Sequence, residues 1–377
     1  MTGGRVLVVT NDFPPRPGGI QSFVHGLVSR LPPDGVVVLT SRWRGCEEFD
    51  ADQPYEVVRA DTSVLLPTPA VRRQAVSLLR ERGCDAVWFG AAAPLGLLAP
   101  ALRAAGARRL VATTHGHEVG WSMVPAARRL LRRIASSVDV LTYLGEFTRT
   151  HLAREVGPYA DRMARLTPGV DAAVFRPGGG AGVRASLGLA GRPVVVCVSR
   201  LMPRKGQDVL LRALPTIRAT VPDAALLLVG GGPSRGDLER YVDRNGLRDH
   251  VVLTGSVPAA ELPSYYGAGD VFAMPCRSRL GGLDVEGLGM VYLEAAACGL
   301  PVVAGRSGGA PDAVRDGDTG VVVDGSSTDD VAEAVSGLLS DPARAAAVGA
   351  RGREWVEREW SWDRSVASLR DWLAAPS

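Results

Sequence analysis

The feature that most constrains this 377-residue chain is an alternation: short, valine-rich apolar runs recur along its length, each trailed by a loop or a helical pattern. In the first half the runs are RVLVVT, VVVLT, AVWFG, RLVATTHG and VDVLTYLG, interleaved with helical stretches such as IQSFVHGLVSRL, PLGLLAPALRAAG and EFTRTHLAREV. A strand buried on both faces reads as a continuous apolar run, and helices between such strands are the mark of βα units around a parallel sheet. Residues 168–193, PGVDAAVFRPGGGAGVRASLGLAGRP, break the pattern with glycine and proline and read as a linker. The alternation then restarts with PVVVCVSR, ALLLVGGG, HVVLTGSV, DVFAMPC, PVVAG and TGVVVDG. The expected architecture is α/β, two doubly wound domains in tandem. Irregular spacing of the units argues against a repeat array.

A chain of this length exceeds a single ordinary core. Its 46% hydrophobic and 22% charged content is that of a globular protein. Five cysteines, widely separated and without a C-x-x-C pair, suggest neither a disulfide framework nor a zinc site. MTGG leads directly into the first apolar run with no basic and apolar leader, and no apolar stretch reaches 18 residues. A cytoplasmic location is therefore expected.

Charge is unevenly spread. Residues 1–177 hold 22 arginines against 16 acids, and residues 178–377 hold 21 bases against 24 acids. Arginines cluster at Arg72, Arg73, Arg80 and Arg82, and at Arg128, Arg129, Arg132 and Arg133 in PAARRLLRRIASSVDV. The second cluster reads as a helix with Leu130, Leu131 and Ile134 as its apolar stripe. Two readings fit it, the solvated face of a packed helix or a surface lying on an anionic bilayer. Nucleic acid is not the expected partner, because the basic clusters lack interleaved aromatics.

In doubly wound sheets ligands bind beyond the carboxyl ends of the strands, so four loops attract attention. In TNDFPPRPGGIQSF, Gly18 and Gly19 open a helix, which suits either a phosphate approaching exposed amides or a plain tight turn. The sequence is not G-x-G-x-x-G. In TTHGHE, His115 and His117 follow a strand; a third metal ligand at matching spacing is missing, and a hydrogen-bonding role toward a polar substrate fits better. In SRLMPRKGQD, Arg200 and Lys205 flank a strand-to-helix turn, and Lys205 is the only lysine among the 43 basic residues. A guanidinium and a compact ammonium there can neutralise a diphosphate leaving group. In DVEGLGMVYLEAAACGLPVVA, Glu286 lies in a loop and Glu294 in the second turn of the following helix, so the two carboxylates can touch different parts of one extended ligand, such as sugar or ribose diols. Without a ligand, either is simply an acid near a helix start.

Taken together, NDFPPRPGGIQSF, THGHEVGW, SRLMPRKGQD, EGLGMVYLE, ACGLPVVAG followed by GGAPDAV, and the terminal SWDR closely resemble the retaining GT-B glycosyltransferases of family 4, in order and over nearly the whole chain. Within that family the likeness is strongest to GDP-mannose-dependent phosphatidylinositol monomannoside mannosyltransferases. The resemblance implies two Rossmann-like domains facing across a cleft: an acceptor-binding domain over 1–170, a linker at 171–192, a nucleotide-sugar-binding domain over 193–355, and a C-terminal helix at 356–377 crossing back to the first domain. It assigns Gly18, Gly19, Arg200 and Lys205 to the donor diphosphate and Glu294 to the ribose. Glu286 with the following amides (Gly287, Met290, Val291) is assigned to the sugar hydroxyls, Val257 to the base, and His115 to the sugar near the reacting carbon. One departure is Leu280, where the family pattern usually has glycine.

The resemblance further implies that no metal or other cofactor is needed. It implies front-face attack, in which the departing diphosphate takes the acceptor's proton, so that His115, Arg200, Lys205 and Glu286 form the catalytic set. Double displacement with Glu286 as nucleophile stays open. The implied partners are a nucleotide sugar, GDP-mannose first, and a glycolipid or other hydroxyl acceptor. Arg72, Arg73, Arg128, Arg129, Arg132 and Arg133 would then contact the inner face of the cell membrane. The alternative is a family 4 enzyme of natural-product or polysaccharide synthesis with another nucleotide sugar and a soluble acceptor. A glycogen-type phosphorylase shares the architecture but needs a lysine for its cofactor, and no second lysine exists.

Overall fold

The computed structural model describes residues 4–374 and divides them into two compact units. One runs to Gly169 and takes in the chain from Trp362 onward; the other is Val170–Ser361.

The first unit is built on seven parallel strands, β1 (Arg5–Val9), β2 (Val36–Ser41), β3 (Glu56–Ala60), β4 (Cys84–Phe89), β5 (Arg109–Thr113), β6 (Val140–Tyr143) and β7 (Met163–Arg165), in the order β3-β2-β1-β4-β5-β6-β7. The second has six, β8 (Val194–Val198), β9 (Ala225–Val229), β10 (Val251–Gly255), β11 (Val271–Met274), β12 (Val302–Gly305) and β13 (Gly320–Val323), ordered β10-β9-β8-β11-β12-β13. Every pairing is parallel. Strand order reverses between β1 and β4 in one sheet and between β8 and β11 in the other, the crevices where such sheets hold ligands.

All eleven strands expected from apolar runs are present, and two more appear. β3 is half-buried at a sheet edge and carries Glu56 and Arg59; β7 is three residues long at the opposite edge. Neither is covered on both faces, so neither needs an unbroken apolar run.

The segment expected as a linker is part of the second unit. It contains a helix, Ala181–Ser186, and Arg184 pairs with Asp270 at 2.7 Å while donating to the Ala268 carbonyl at 2.9 Å. Gly180 sits so close to Gly267 that a Cβ would come within 2.1 Å of its carbonyl carbon.

The expected single C-terminal helix is two. Pro342–Glu359 and Trp362–Leu373 are separated at Trp360 and Ser361. Trp360 is fully buried edge-on to Trp355, and its carbonyl accepts from the Val170 amide at 2.8 Å, which locks the break. The last helix packs within the first unit: Trp362 stacks on Phe23, Arg30 lies 4.9 Å from its ring centroid, and Arg109 donates to the Trp372 carbonyl. Residues 375–377 of the expected helix lie outside the described residues.

Trp362 fits because two glycines make room for it; a Cβ on Gly26 would lie 2.4 Å from its indole, and one on Gly169 2.3 Å from its amide nitrogen. Gly26→Ala is expected to lower unfolding free energy by about 1–3 kcal/mol through overpacking. Gly337→Ala, within the helix Thr328–Leu339 and with open space around it, should raise stability by about 0.5–1 kcal/mol. Denaturant melts of the two variants check both signs.

Candidate functional site

In the second unit the loops after β8 and β11, neighbours at the switch point, carry Lys205 and Glu286. A 3-10 turn, Pro203–Lys205, precedes the helix Gln207–Thr220, so Lys205 closes the turn instead of opening the helix, and Gly206 joins them at φ 80°. That conformation favours glycine. A Cβ at Gly206 would also lie 2.0 Å from the Pro275 carbonyl oxygen. Lys205 Nζ donates to Glu286 Oε2 at 2.5 Å, and both side chains are largely buried, 12% and 8% exposed.

The backbone of Glu286 is held as firmly as its carboxylate. Its amide donates to Ser307 Oγ at 3.3 Å, and its carbonyl accepts from the Gly309 amide at 2.8 Å. Around the pair, Arg204 contacts Asp284 at 3.2 Å, Arg277 grips Asp208 through two bonds of 3.0 Å, and the Arg277 amide donates to the Arg204 carbonyl. Glu286 Oε1 makes no hydrogen bond among the described residues. Arg200 is exposed, and its side chain has no partner among them either.

Glu294 is on the helix Met290–Ala297, in its second turn as expected, with Met290 and Val291 in the uncapped first turn after Gly289. Tyr266 Oη donates to Glu294 Oε2 at 2.6 Å. Burial pushes the Glu294 carboxyl above its usual range, and the tyrosine bond only partly offsets this. Gly287 backs onto Gly309, where a Cβ would strike its carbonyl oxygen at 2.1 Å. Val257 is half-buried in the loop after β10. Leu280 has φ 51°, the left-handed region, and is the only non-glycine residue described there. The glycine usual at this position in the family pattern is therefore the residue its backbone favours.

In the first unit Gly18 and Gly19 lie exposed at the start of the helix Gly19–Val28, which has no side-chain cap. Their loop is pinned from beneath. Buried Arg59 pairs with Asp50 at 2.7 Å and donates to the Pro14 carbonyl at 2.6 Å; Gln21 donates to Asp12 at 2.7 Å. His115 is buried after β5, its Nε2 2.6 Å from the Gly90 carbonyl and its amide bonded to Glu118. Burial lowers its pKa, with Glu118 opposing. A neutral ring that gives its Nε2 proton to Gly90 has Nδ1 left as an acceptor, suited to a hydroxyl. His117 stacks beside His115 and lies 3.4 Å from Glu118.

Among the described residues no group of three or more His, Cys, Asp and Glu is placed to hold a metal ion, and no helix is long and apolar enough to cross a membrane. In the helix Pro125–Ser137 the expected apolar stripe shifts: Leu131, Ile134 and Ala135 are buried, whereas Leu130 is 39% exposed beside Met123 and Val124. Arg128 pairs with Glu155 at 3.4 Å and Arg132 donates to its carbonyl; Arg129 and Arg133 have no side-chain partner among the described residues. Arg72 and Arg73 are exposed in the first turn of Pro69–Glu81.

Sequence reasoning did not single out Ser307, Tyr266, Arg204, Glu118 or Gly90, which hold or abut the expected residues. Only GGAPDAV, noted as part of the family likeness, pointed toward the Gly308–Gly309 support of Glu286.

Tyr266→Phe removes the donor that partly stabilises the Glu294 carboxylate, raising its pKa further. A carboxyl whose folded pKa is raised destabilises the fold where it is ionised, and the cost fades as pH falls through that pKa. The variant should lose about 1–3 kcal/mol at neutral pH and less toward the acid carboxylate range. Urea melts at two pH values decide it.

A family model for glycosyl transferases group 1 matches residues 183–355, and one for glycosyltransferase family 4 matches 17–174. The chain is 53% identical over 375 residues to a GDP-mannose-dependent alpha-(1-6)-phosphatidylinositol monomannoside mannosyltransferase of Mycolicibacterium smegmatis, covering 98% of each chain. It is 47% identical over 365 residues, 95% of each, to the GDP-mannose-dependent monoacylated alpha-(1-6)-phosphatidylinositol monomannoside mannosyltransferase of Corynebacterium glutamicum. Among solved structures it resembles Anabaena Alr3699/HepE in complex with UDP, with a TM-score of 0.83 and 20% identity over 97% of this chain and 98% of that one, a likeness of fold. With two Rossmann-like parallel sheets, a model match on each half and relatives aligned almost end to end, the chain belongs to the GT-B glycosyltransferases of family 4 and is a glycosyltransferase.

Proposed function

We propose that the chain transfers mannose, with retention of configuration, from GDP-mannose to a phosphatidylinositol mannoside lipid. The observation that carries this reading is identity of about half the residues, over nearly full length, with two enzymes named for that donor and that class of acceptor.

The reaction breaks the bond between the anomeric carbon and the diphosphate, and negative charge grows on the leaving oxygen. Arg200, with no internal partner, supplies a free guanidinium to it. Lys205 supplies the ammonium it shares with Glu286. Preorganised cations of this kind act on the transition state more than on the bound donor. Glu286, fixed through its backbone and through Oε2, keeps Oε1 for a sugar hydroxyl, and Glu294 takes the ribose diol. His115 offers Nδ1 to a sugar hydroxyl, Gly18 and Gly19 offer backbone amides to the diphosphate, and Val257 takes the base. The acceptor hydroxyl passes its proton to the departing diphosphate. The pairing of Glu286 with Lys205 favours this route over attack by Glu286, because a carboxylate bonded to an ammonium is a poorer nucleophile. No residue is assigned to a metal.

Contact with an anionic membrane face is the remaining part of the reading. Arg72 and Arg73 follow the exposed Val64 and Leu66, and Arg129 and Arg133 accompany Met123, Val124 and Leu130, so cations and apolar tips occur together. Arg128 and Arg132 serve the bilayer less, being tied to Glu155.

Nucleotide sugars assayed with phosphatidylinositol mannosides should show transfer from GDP-mannose, and failure to mannosylate any lipid sinks the reading in favour of a soluble acceptor. Lys205→Ala should reduce turnover by roughly a hundredfold, the scale of one preorganised donor; Lys205→Arg, which keeps the charge but brings a wide planar head against Glu286, should recover little of it. Turnover unchanged in both variants would refute the role. Arg129→Ala and Arg133→Ala should each weaken binding to phosphatidylserine vesicles by about fivefold, measured by sedimentation.

A further inference from the structure

The guanidinium of Arg200 has no partner among the described residues, so no ion pair aims it. A cation of that kind is aimed by its backbone, and the way residues 199–201 are held decides where its head can reach. That stretch is clamped from two sides.

On one side runs the loop after β9, which appears in the sequence only as the end of the apolar run ALLLVGGG. The Ser199 amide donates to the Val229 carbonyl at 3.0 Å, the Leu201 amide donates to the Gly231 carbonyl at 2.9 Å, and the Leu201 carbonyl accepts from the Ser234 amide at 3.1 Å. The approach is close enough that a Cβ on Gly230 would lie 2.1 Å from the Ser199 carbonyl oxygen, and one on Gly232 2.3 Å from that of Leu201. These contacts fix the residues before and after Arg200, and its own carbonyl is bonded from elsewhere.

On the other side stands Gln207, the first residue of the helix Gln207–Thr220 and only 1% exposed. Its Nε2 donates to Ser199 Oγ at 2.8 Å and to the Arg200 carbonyl at 3.0 Å. Among the described residues it is the only side chain bonded to the Arg200 backbone. Both amide protons reach back seven and eight residues, so the start of the helix is tied to the end of β8. Lys205, in the turn between, has its own anchor in Glu286, whereas Arg200 depends on this tie. Burying an amide is unfavourable unless its hydrogen bonds are made, and a methionine would fill the helix start without that demand. Two donors converging on the strand end are what the amide adds.

We propose that Gln207 is a positioning residue for the transfer reaction: through the Arg200 carbonyl it sets where the Arg200 guanidinium stands against the departing diphosphate. The proposal rests on the reading of Arg200 given above, not on which sugar or acceptor is used. Gln207 acts through Arg200 and not on the substrate.

Double-mutant cycles in the whole protein test it, with kcat and donor KM measured on the nucleotide sugar that the panel above selects. Gln207→Met, similar in length but without a donor, should lower kcat about tenfold with donor KM little changed, because a misplaced group is felt in the transition state more than in the bound donor. Gln207→Asn keeps the amide but sets it one methylene short of the Arg200 carbonyl; it should lose a similar factor, and it serves if the methionine variant does not fold. In an Arg200→Ala background either change should lower kcat by less than about twofold more, and in a Lys205→Ala background by the full factor. Ser199→Ala removes the other bond of the same amide and should change kcat little. An equal loss from the Gln207 variants with and without Arg200 marks a merely structural role and overturns the proposal, as does unchanged kcat in both variants. Wild-type kcat in Arg200→Ala removes the diphosphate reading and the proposal together. A loss in Arg200→Ala without one in the Gln207 variants removes the proposal alone.

Discussion

One ion pair organises the second unit's ligand-facing edge. Lys205 and Glu286 are 81 residues apart in sequence, sit on loops after adjacent strands, and meet at 2.5 Å with little exposure to water. A charge of either sign left alone there would keep its desolvation cost without its partner, a loss of about 3–5 kcal/mol for comparable buried pairs. The loops are consequently fixed to one another, and the surrounding contacts extend the same connection: Arg204 to Asp284, Arg277 to Asp208, the Arg277 amide to the Arg204 carbonyl. Gly206 is required twice, for its positive φ and for the Pro275 carbonyl pressed against it. These contacts lie on the loops where the strand order reverses.

The first unit achieves a comparable rigidity differently. Its glycine loop has no ion pair at its tip and is held from below, by Arg59 on the Pro14 carbonyl and by Asn11, whose side chain donates to the Leu65 carbonyl and accepts from its amide. The amides of Gly18 and Gly19 have no hydrogen-bond partner among the described residues, and they open a helix whose dipole favours an anion. The second unit's loop presents side-chain cations; the first presents backbone.

How much was legible in the sequence follows from what each residue answers to. Strands covered on both faces announce themselves as apolar runs, and all eleven of those were readable; β3 and β7 were not, because an edge strand with Glu56 and Arg59 in it obeys pairing more than burial. Lys205 stood out by composition and Glu286 by its loop, but their pairing is a tertiary fact that spacing cannot carry. Leu130 was misassigned to the buried stripe because helical periodicity leaves the flanks of a stripe ambiguous by one residue, and the packing of Leu131 and Ile134 settles it. Ser307 and Tyr266 act only as hydrogen-bond partners of distant carboxylates, and a lone serine or tyrosine has no pattern to read.

The composition of the chain gives the ion pair its sharper meaning. Arginine serves this protein as its cation in helix pairs, carbonyl clamps and ring stacking, positions where a broad, multiply donating head is an advantage. Next to Glu286 the requirement is opposite: a single short bond to one carboxylate oxygen between two largely buried side chains. An ammonium meets it and can turn its remaining donors toward a second anion without moving its stem. The neighbouring charges largely offset one another, Lys205, Arg204 and Arg279 against Glu286 and Asp284, with one positive charge in excess. Arg200 adds a further positive charge, exposed and without a side-chain partner among the described residues. A cluster of paired charges that fixes the Glu286 carboxylate thus stands beside a guanidinium with no partner among the described residues, so one cation is spent on holding the loops together and the other is not.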